Sequence, residues 1–279
     1  MIRQALSLAL CAVAALCCAP ASAAPAYGSA PPLRLYVLDC GTLRTGDVSR
    51  YDLKPAEVRH TDMAVPCYLV RHGKDWLMFD TGLGDSHFGK ADHIVTLTLE
   101  VREQLGPQLA RLGLKPSDIG RVAVSHFHFD HVGNLAALTG ANLLVQRAEA
   151  EAVRRKPYPF TPEAAVRRLD APNVTLLDGD FDVFGDGSVI LLATPGHSPG
   201  HQSLRVNLRR TGPVILTGDL YHYPEEVTLG RVPPTEAQSQ TPASRARIQQ
   251  ILVHDRAQLW ILHDLERYVH QRHSPRFYD

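Results

Sequence analysis

The apolar positions of the chain fall mostly into short runs of strand type, separated by fewer stretches of helical period. Residues 33–38, Leu-Arg-Leu-Tyr-Val-Leu, alternate as a half-buried strand does. The runs 65–71 and 76–79 are joined by His72-Gly73-Lys74-Asp75 and predict a hairpin. Between 33–38 and that hairpin, the polar stretch 41–62 predicts a long connection. Residues 86–105 mix His87, Phe88 and His93 with apolar side chains at no clear period, which predicts a loop or short helix covering a site. A helix is expected over 108–114, ending at Gly113, followed by a strand over 121–125 and the apolar start of a helix at 132–138. A strand at 142–145 and a helix at 147–156 complete the first half.

The second half repeats this logic, with strands at 174–177, 189–193, 203–208 and 214–216, a helix at 244–253 and a strand at 259–262. Asp178-Gly179-Asp180, Gly185-Asp186-Gly187 and Thr211-Gly212-Pro213 mark turns between them. Residues 221–244, with Pro224, Pro233, Pro234 and Pro242, predict a long surface loop. Two similar halves of strands and helices predict an α/β chain of two packed sheets covered by outer helices.

The amino end departs from this pattern. Arg3 precedes an apolar and small-residue run over 5–19, then Pro20 and Ala21-Ser22-Ala23. This is the layout of a secretory signal peptide, 1–23, cleaved after Ala23, and it is too short to span a bilayer. The expectation is a periplasmic or secreted protein with one domain at 24–279 and no membrane attachment after cleavage. Lipid anchoring at Cys17 or Cys18 is disfavoured, because Leu16 and Cys17 are poor residues to precede the modified cysteine. Cleavage leaves Cys40 and Cys67, both in strand-like segments, and two buried free thiols are expected ahead of a bridge.

Composition narrows the partners. Lys plus Arg and Asp plus Glu each number 29, so the formal net charge is zero and no basic block is present. Nucleic acid is therefore not an expected partner. Arg147, Arg154 and Arg155, interleaved with Glu149 and Glu151, read as a solvated helix face. A homodimer is left open.

The densest chemistry lies in Ser125-His126-Phe127-His128-Phe129-Asp130-His131. Imidazoles and a carboxylate packed this closely would be a poor core without a partner for their polar atoms, and a divalent metal supplies one. His126 and His128 point the same way in an extended segment, while Asp130 and His131 fall at the turn and can face a second position. Further ligand-type residues follow later strands: His197 after 189–194, Asp219 after 214–217 and His263 after 259–262. His201 is expected to orient its loop. His60, His72, His87, His93, His254, His270 and His273 are expected to be solvated or hydrogen-bonded. Asp80-Thr81-Gly82 occurs once, so a shared-proton carboxylate pair of the aspartic-protease kind is disfavoured, and Asp80 is expected to brace a turn under the metal loop.

His126-x-His128-x-Asp130-His131, Thr194-Pro195-Gly196-His197, Asp219 and His263-Asp264 together resemble the metallo-β-lactamase superfamily in its binuclear hydrolase form. With Val65-Pro66-Cys67-Tyr68-Leu69 and Asp80-Thr81-Gly82, the chain is most similar to the N-acyl homoserine lactone lactonases. The resemblance runs from about residue 33 to the end. It implies an αββα sandwich with two metals at one edge: His126, His128 and His197 on the first, Asp130, His131 and His263 on the second, and Asp219 bridging. One departure stands out. A tyrosine that contacts the substrate carbonyl three residues after the bridging aspartate is here His222, flanked by Tyr221 and Tyr223, so any of these three can take the role.

Five imidazoles and two carboxylates without a thiolate favour Zn²⁺ and also suit Mn²⁺, Fe²⁺ or Co²⁺. Two such ions make a hydroxide nucleophile available at neutral pH. That hydroxide would attack a lactone carbonyl, with Asp130 carrying a proton to the departing alkoxide. Phe127, Phe129, Met63 and Phe88 are candidates for an acyl pocket. The expected substrate is a small lactone. The alternatives are another ester, a thioester or an organophosphate on the same site, and, from a different class, a metal-binding protein without catalysis.

Overall fold

Alternation along the first long strand decides how the layers form. In the computed structural model, which describes residues 32–279, β1 (Leu33–Arg44) sends Leu35 and Val37 to one face of its sheet and Tyr36 and Leu38 to the other. All four are buried, so this sheet is covered on both sides. The expected signal segment 1–23 lies outside the described residues.

The first sheet continues with β2 (Met63–His72), β3 (Asp75–Phe79), β4 (Ala91–Ile94), β5 (Leu97–Glu100), β6 (Arg121–Ala123), β7 (Asn142–Gln146) and β8 (Val174–Leu177), in spatial order β4-β5-β1-β2-β3-β6-β7-β8. The second holds β9 (Phe181–Asp182), β10 (Val189–Ala193), β11 (Gln202–Leu208), β12 (Gly212–Leu216) and β13 (Gln258–Trp260), in order β13-β12-β11-β10-β9. Between the sheets, Leu35, Val37, Tyr68 and Phe79 meet Leu191, Leu204, Val206, Leu216 and Trp260. Each such side chain contributes about 1.5–3 kcal/mol by leaving water.

Helices close the outer faces. α1 (Leu105–Ala110), α3 (Arg147–Arg155) and α4 (Glu163–Arg167) lay Leu105, Leu109, Ala150, Val153 and Ala165 on the first sheet, against Tyr36, Leu38, Leu69 and Met78. α6 (Gln240–Asp255) packs Ile248 on Leu192, Ile215 and Ile261 of the second. The αββα architecture expected from the sequence is present.

Several boundaries differ from expectation. Residues 86–105 hold the β4–β5 hairpin rather than a loop or helix, since four-residue strands are too short for a period to stand out. β1 runs on to Arg44, well into the expected polar connection, because it pairs there with β5. The helix expected at 108–114 is α1, starting earlier. The helix expected at 132–138 is instead α2 (Phe129–Val132) followed by a 3-10 turn, Leu135–Ala137. The expected loop at 221–244 contains α5 (Pro224–Leu229) and the start of α6.

Cys40 and Cys67 form a disulfide with Cα atoms 5.7 Å apart, which corrects the expectation of two free thiols. β1 and β2 pair antiparallel with Leu38 opposite Cys67, and the register breaks between Asp39 and Thr42. That irregularity brings Cys40, on the same face as Leu38, within reach of Cys67. Which strands become neighbours is a tertiary fact, so composition alone could not reveal the pairing.

Strand direction places the site. β10 and β12 are each antiparallel to β11, and β13 is parallel to β12. The three strands that precede His197, Asp219 and His263 therefore run the same way, and their loops leave at one edge of the sandwich.

Candidate active site

Each ligand-type side chain emerges just past a strand end. β6 leads through Val124 and Ser125 to His126 and His128, and α2 then carries Asp130 and His131. Gly133, just beyond α2, sits so close to the Leu83 carbonyl group that a Cβ there would lie 2.2 Å from it. Its N–H donates to Gly82 O at 2.8 Å, which clamps the loop 80–84 onto the metal-type loop.

The structure brings all seven of the sequence's ligand candidates together, in two groups. His126 Nε2, His128 Nδ1 and His197 Nε2 lie 2.8–3.0 Å from one another. Asp219 Oδ2 is 3.7 Å from His126 Nε2 and 3.5 Å from His197 Nε2. In the second group, Asp130 Oδ2 is 3.6 Å from both His131 Nε2 and His263 Nε2. Asp219 Oδ1 is 3.1 Å from each of those nitrogens. One carboxylate thus presents one oxygen to each group.

The chemistry of this donor set fits two divalent ions. Three imidazole nitrogens at mutual contact do not satisfy one another, because each hydrogen bond needs one donor and one lone pair. His131 Nε2 and Asp219 Oδ1 are buried and have no hydrogen-bond partner among the described residues, which would cost about 1–3 kcal/mol each if nothing else met them. The outer nitrogens explain which lone pairs face inward. His263 Nδ1 donates to Ala64 O at 2.8 Å, His131 Nδ1 faces Asp80 Oδ2 at 3.0 Å, and His197 Nδ1 faces Glu236 Oε1 at 3.3 Å. Each acceptor holds the proton on Nδ1 and leaves Nε2 free as a ligand. The spacings also suit nitrogens sharing an ion at about 2.0–2.1 Å.

Electrostatics separates the groups. Burial, reinforced by the neighbouring histidines, pushes His126 well below its ordinary pKa and brings His128 down to about 3. Burial likewise brings His197 down to about 3, despite the opposing pull of Asp219. His131 is raised well above the ordinary value: burial opposes this, but Asp219, Asp130 and Asp80 outweigh it.

The residues around this cluster carry only a partial signal in the sequence. Asp80 braces the loop as expected, accepting from Ser125 N at 2.6 Å. His201 Nε2 accepts from Asp219 N at 2.9 Å, fixing the backbone of the shared carboxylate. Glu149 does not belong to a solvated face, which corrects that expectation: it is fully buried and accepts from Phe127 N at 3.0 Å, Ser198 Oγ at 2.7 Å and Gly200 N at 3.1 Å. It therefore ties the loop of His126 and His128 to that of His197. Five of the nine residues of α3 are charged, so nothing in its pattern marks Glu149 as the inward one. Glu236, deep in the Pro-rich stretch, also escaped notice.

His222 faces the site, with Nε2 3.3 Å from Asp219 Oδ2 and Nδ1 3.2 Å from Glu226 Oε1. Burial opposes its protonation, but Glu226 and Asp219 raise its pKa to about 10. Arg245 donates to the other Glu226 oxygen and stacks on Tyr221 at 4.2 Å. Tyr223 donates its hydroxyl to Thr61 O at 2.6 Å. Neither tyrosine lines the site cavity.

That cavity, about 40 Å³, is floored by His128, Asp130, His197, Asp219, His222 and His263 and walled by Leu43, Arg50, Tyr51, Met63, Leu97 and Phe129. Met63 and Phe129 thus stand where an acyl pocket was expected. Phe127 is instead packed in the core under the first sheet, and Phe88 lines a separate surface groove with Arg102. Alternation explains Phe127: its neighbours His126 and His128 point to the site, so it points away.

Comparison with known proteins agrees with this geometry. The chain is 28% identical over 270 residues to the N-acyl homoserine lactonase AttM of Azorhizobium caulinodans, covering 88% of this chain and 99% of that one. It is 31% identical over 226 residues to an N-acyl homoserine lactonase of Bacillus sp, covering 77% and 86%. A solved N-acyl homoserine lactone hydrolase, with the product N-hexanoyl-L-homoserine bound at its catalytic metal centre, superposes with a TM-score of 0.74 at 27% identity, covering 89% of this chain and 99% of that one. Residues 60–261 match the family model described as the metallo-beta-lactamase superfamily, and the chain belongs to that superfamily.

Proposed function

We propose that this protein is an exported, binuclear metal-dependent hydrolase that opens the lactone ring of N-acyl homoserine lactones. The observation that carries the reading is Asp219, whose two oxygens face two separate His/Asp groups at one edge of the sandwich. In this reading His126, His128 and His197 hold one ion, Asp130, His131 and His263 the other, and Asp219 both. When bound, a pair of ions, most favourably Zn²⁺, supplies Lewis acidity that makes water reactive near neutral pH and stabilises charge on oxygen.

The chain's own groups do the rest. His222, braced by Glu226, would present an N–H toward the cavity and donate it to a substrate oxygen. Asp130, whose carboxylate makes no hydrogen bond among the described residues, carries a proton from the attacking water to the ring oxygen that leaves. Met63, Leu97 and Phe129 give the acyl chain an apolar wall and keep bulk water from the reacting atoms. Lactonase activity is supported by relatives of that name matched along most of their length. Export of residues 24–279 after removal of 1–23 is supported by the Cys40–Cys67 disulfide, since such bonds persist in oxidising compartments.

The test is hydrolysis by purified protein of lactones of graded acyl length beside an aryl ester, a thioester and a phosphotriester, before and after metal removal. The reading expects acyl homoserine lactones to have the highest kcat/KM and activity to vanish with chelation and return with Zn²⁺. Turnover that survives complete metal removal overturns the mechanism. A preference for a non-lactone substrate overturns the lactone assignment and leaves the site.

A further inference from the structure

We infer that Tyr51, on a segment far in sequence from every ligand-type residue, contacts the substrate and donates its hydroxyl hydrogen to the carbonyl oxygen beside the scissile bond. The inference rests on the reading of this cavity as a hydrolytic site and adds a residue to it. Tyr51 ends a 3-10 turn, Ser49–Tyr51, and only 6% of its surface is exposed. Its ring lies in the small core formed with Leu43, Met63 and Leu97, and it lines the cavity with His128, Asp130, His197, Asp219, His222 and His263.

Its neighbours fix which way it can act. The ring centroid is 4.4 Å from His222 and 5.2 Å from Tyr223, and the Arg50 guanidinium covers the ring at 5.3 Å. The edges toward Tyr223, His222 and Arg50 are therefore occupied. The hydroxyl makes no hydrogen bond among the described residues, whereas Tyr223 has spent its hydroxyl on Thr61 O. Tyr51 lines the open cavity, so a ligand oxygen that enters the site can accept from its hydroxyl. Burial raises its pKa, Arg50 opposes this, and Asp219 and Asp130 add to it, so the hydroxyl keeps a proton that it can donate. Phenylalanine would fill the same core space without a donor at the cavity, which makes the hydroxyl the feature in need of a purpose.

The experiment compares wild type with Tyr51→Phe on an N-acyl homoserine lactone and on a γ-lactone lacking the acyl amide, with metal content and thermal unfolding measured on the same samples. Loss of one hydrogen bond to the developing oxyanion lowers kcat/KM by about 10–100-fold. The fall should be equal on both substrates, since both share the ring carbonyl, and metal content and unfolding temperature should not drop. Binding of the ring-opened hydroxy acid should perturb tyrosine absorbance in wild type and lose that component in the variant. A kcat/KM within about twofold of wild type, a loss confined to the acylated substrate, or a loss of metal overturns the inference. If wild type cleaves an ester but no lactone, the lactonase reading falls, and Tyr51 is then judged by the same ratio on that ester.

Discussion

Glu149→Gln separates the two proposed ion positions more cleanly than any substitution of a ligand-type residue would. Glu149 Oε1 accepts from Phe127 N, and Oε2 accepts from Ser198 Oγ and Gly200 N. Glutamine keeps the shape but has only one acceptor oxygen. If that oxygen stays on Phe127 N, the amide nitrogen meets the Gly200 N–H; if it turns to Gly200, the nitrogen meets the Phe127 N–H. Either way a buried backbone donor loses its acceptor and faces another donor, at about 1–3 kcal/mol, with roughly one more for the lost charge assistance. A total of about 2–4 kcal/mol in a domain of this size corresponds to a fall in Tm of about 5–15 °C.

The functional consequence is asymmetric. Glu149 joins the loop of His126 and His128 to that of His197 and makes no hydrogen bond to Asp130, His131 or His263. The affinity of the first position should therefore fall by about 10–100-fold, the range seen when the partner that orients a ligand is removed, while the second changes little. Competition against a chromophoric chelator, fitted to two dissociation constants, reads this directly, with Tm from circular dichroism alongside. Equal weakening of both positions, or no weakening with an unchanged Tm, would refute the assignment of Glu149 as the tie between these loops.

Replacing Cys40 and Cys67 together by serine should destabilise the fold by about 3–4 kcal/mol, the chain-entropy value for their separation of 27 residues. Denaturant titration checks this, and a midpoint unchanged from wild type would deny the bridge a role. Gly133→Ala places a methyl group 2.2 Å from the Leu83 carbonyl group, so the loop 80–84 must move; a loss of about 1–3 kcal/mol or more and weakened binding at the His131 position are expected from unfolding and metal-content measurements. Acidification should strip the positions in order. His131 is raised above its ordinary value and takes a proton early, whereas His128 and His197 stay neutral down to about 3. Metal analysis after dialysis from pH 7 toward about pH 5 should show the Asp130–His131–His263 ion leaving first, and simultaneous loss would contradict that order.

Much of the fold and of the clustering of candidate ligands was legible because both obey local rules. Alternation in 33–38 and the β-branched runs of the second half mark strands, and a ligand-type residue directly after such a run must stand at a strand end. That reasoning reached His126, His128, Asp130, His131, His197, Asp219 and His263 without coordinates, since spacing within a strand or turn fixes which way a side chain leaves the backbone. It failed for the β4–β5 hairpin, whose strands are too short to show a period, and for α5, hidden in a Pro-rich stretch.

How distant segments meet is not written in any local pattern. Glu149 sits in a helix as rich in charge as a solvated surface, and only the approach of Phe127 and the loop 198–200 buries it. Cys67 is one residue among many in a hydrophobic strand until β1 is laid beside it with a break in register. Tyr51, Glu226 and Glu236 lie in segments with no local signature, and they matter because of what packs against them. Local spacing determines direction and period along the chain; partners across the chain follow from strand order and loop closure, which are set by the packing of the whole molecule.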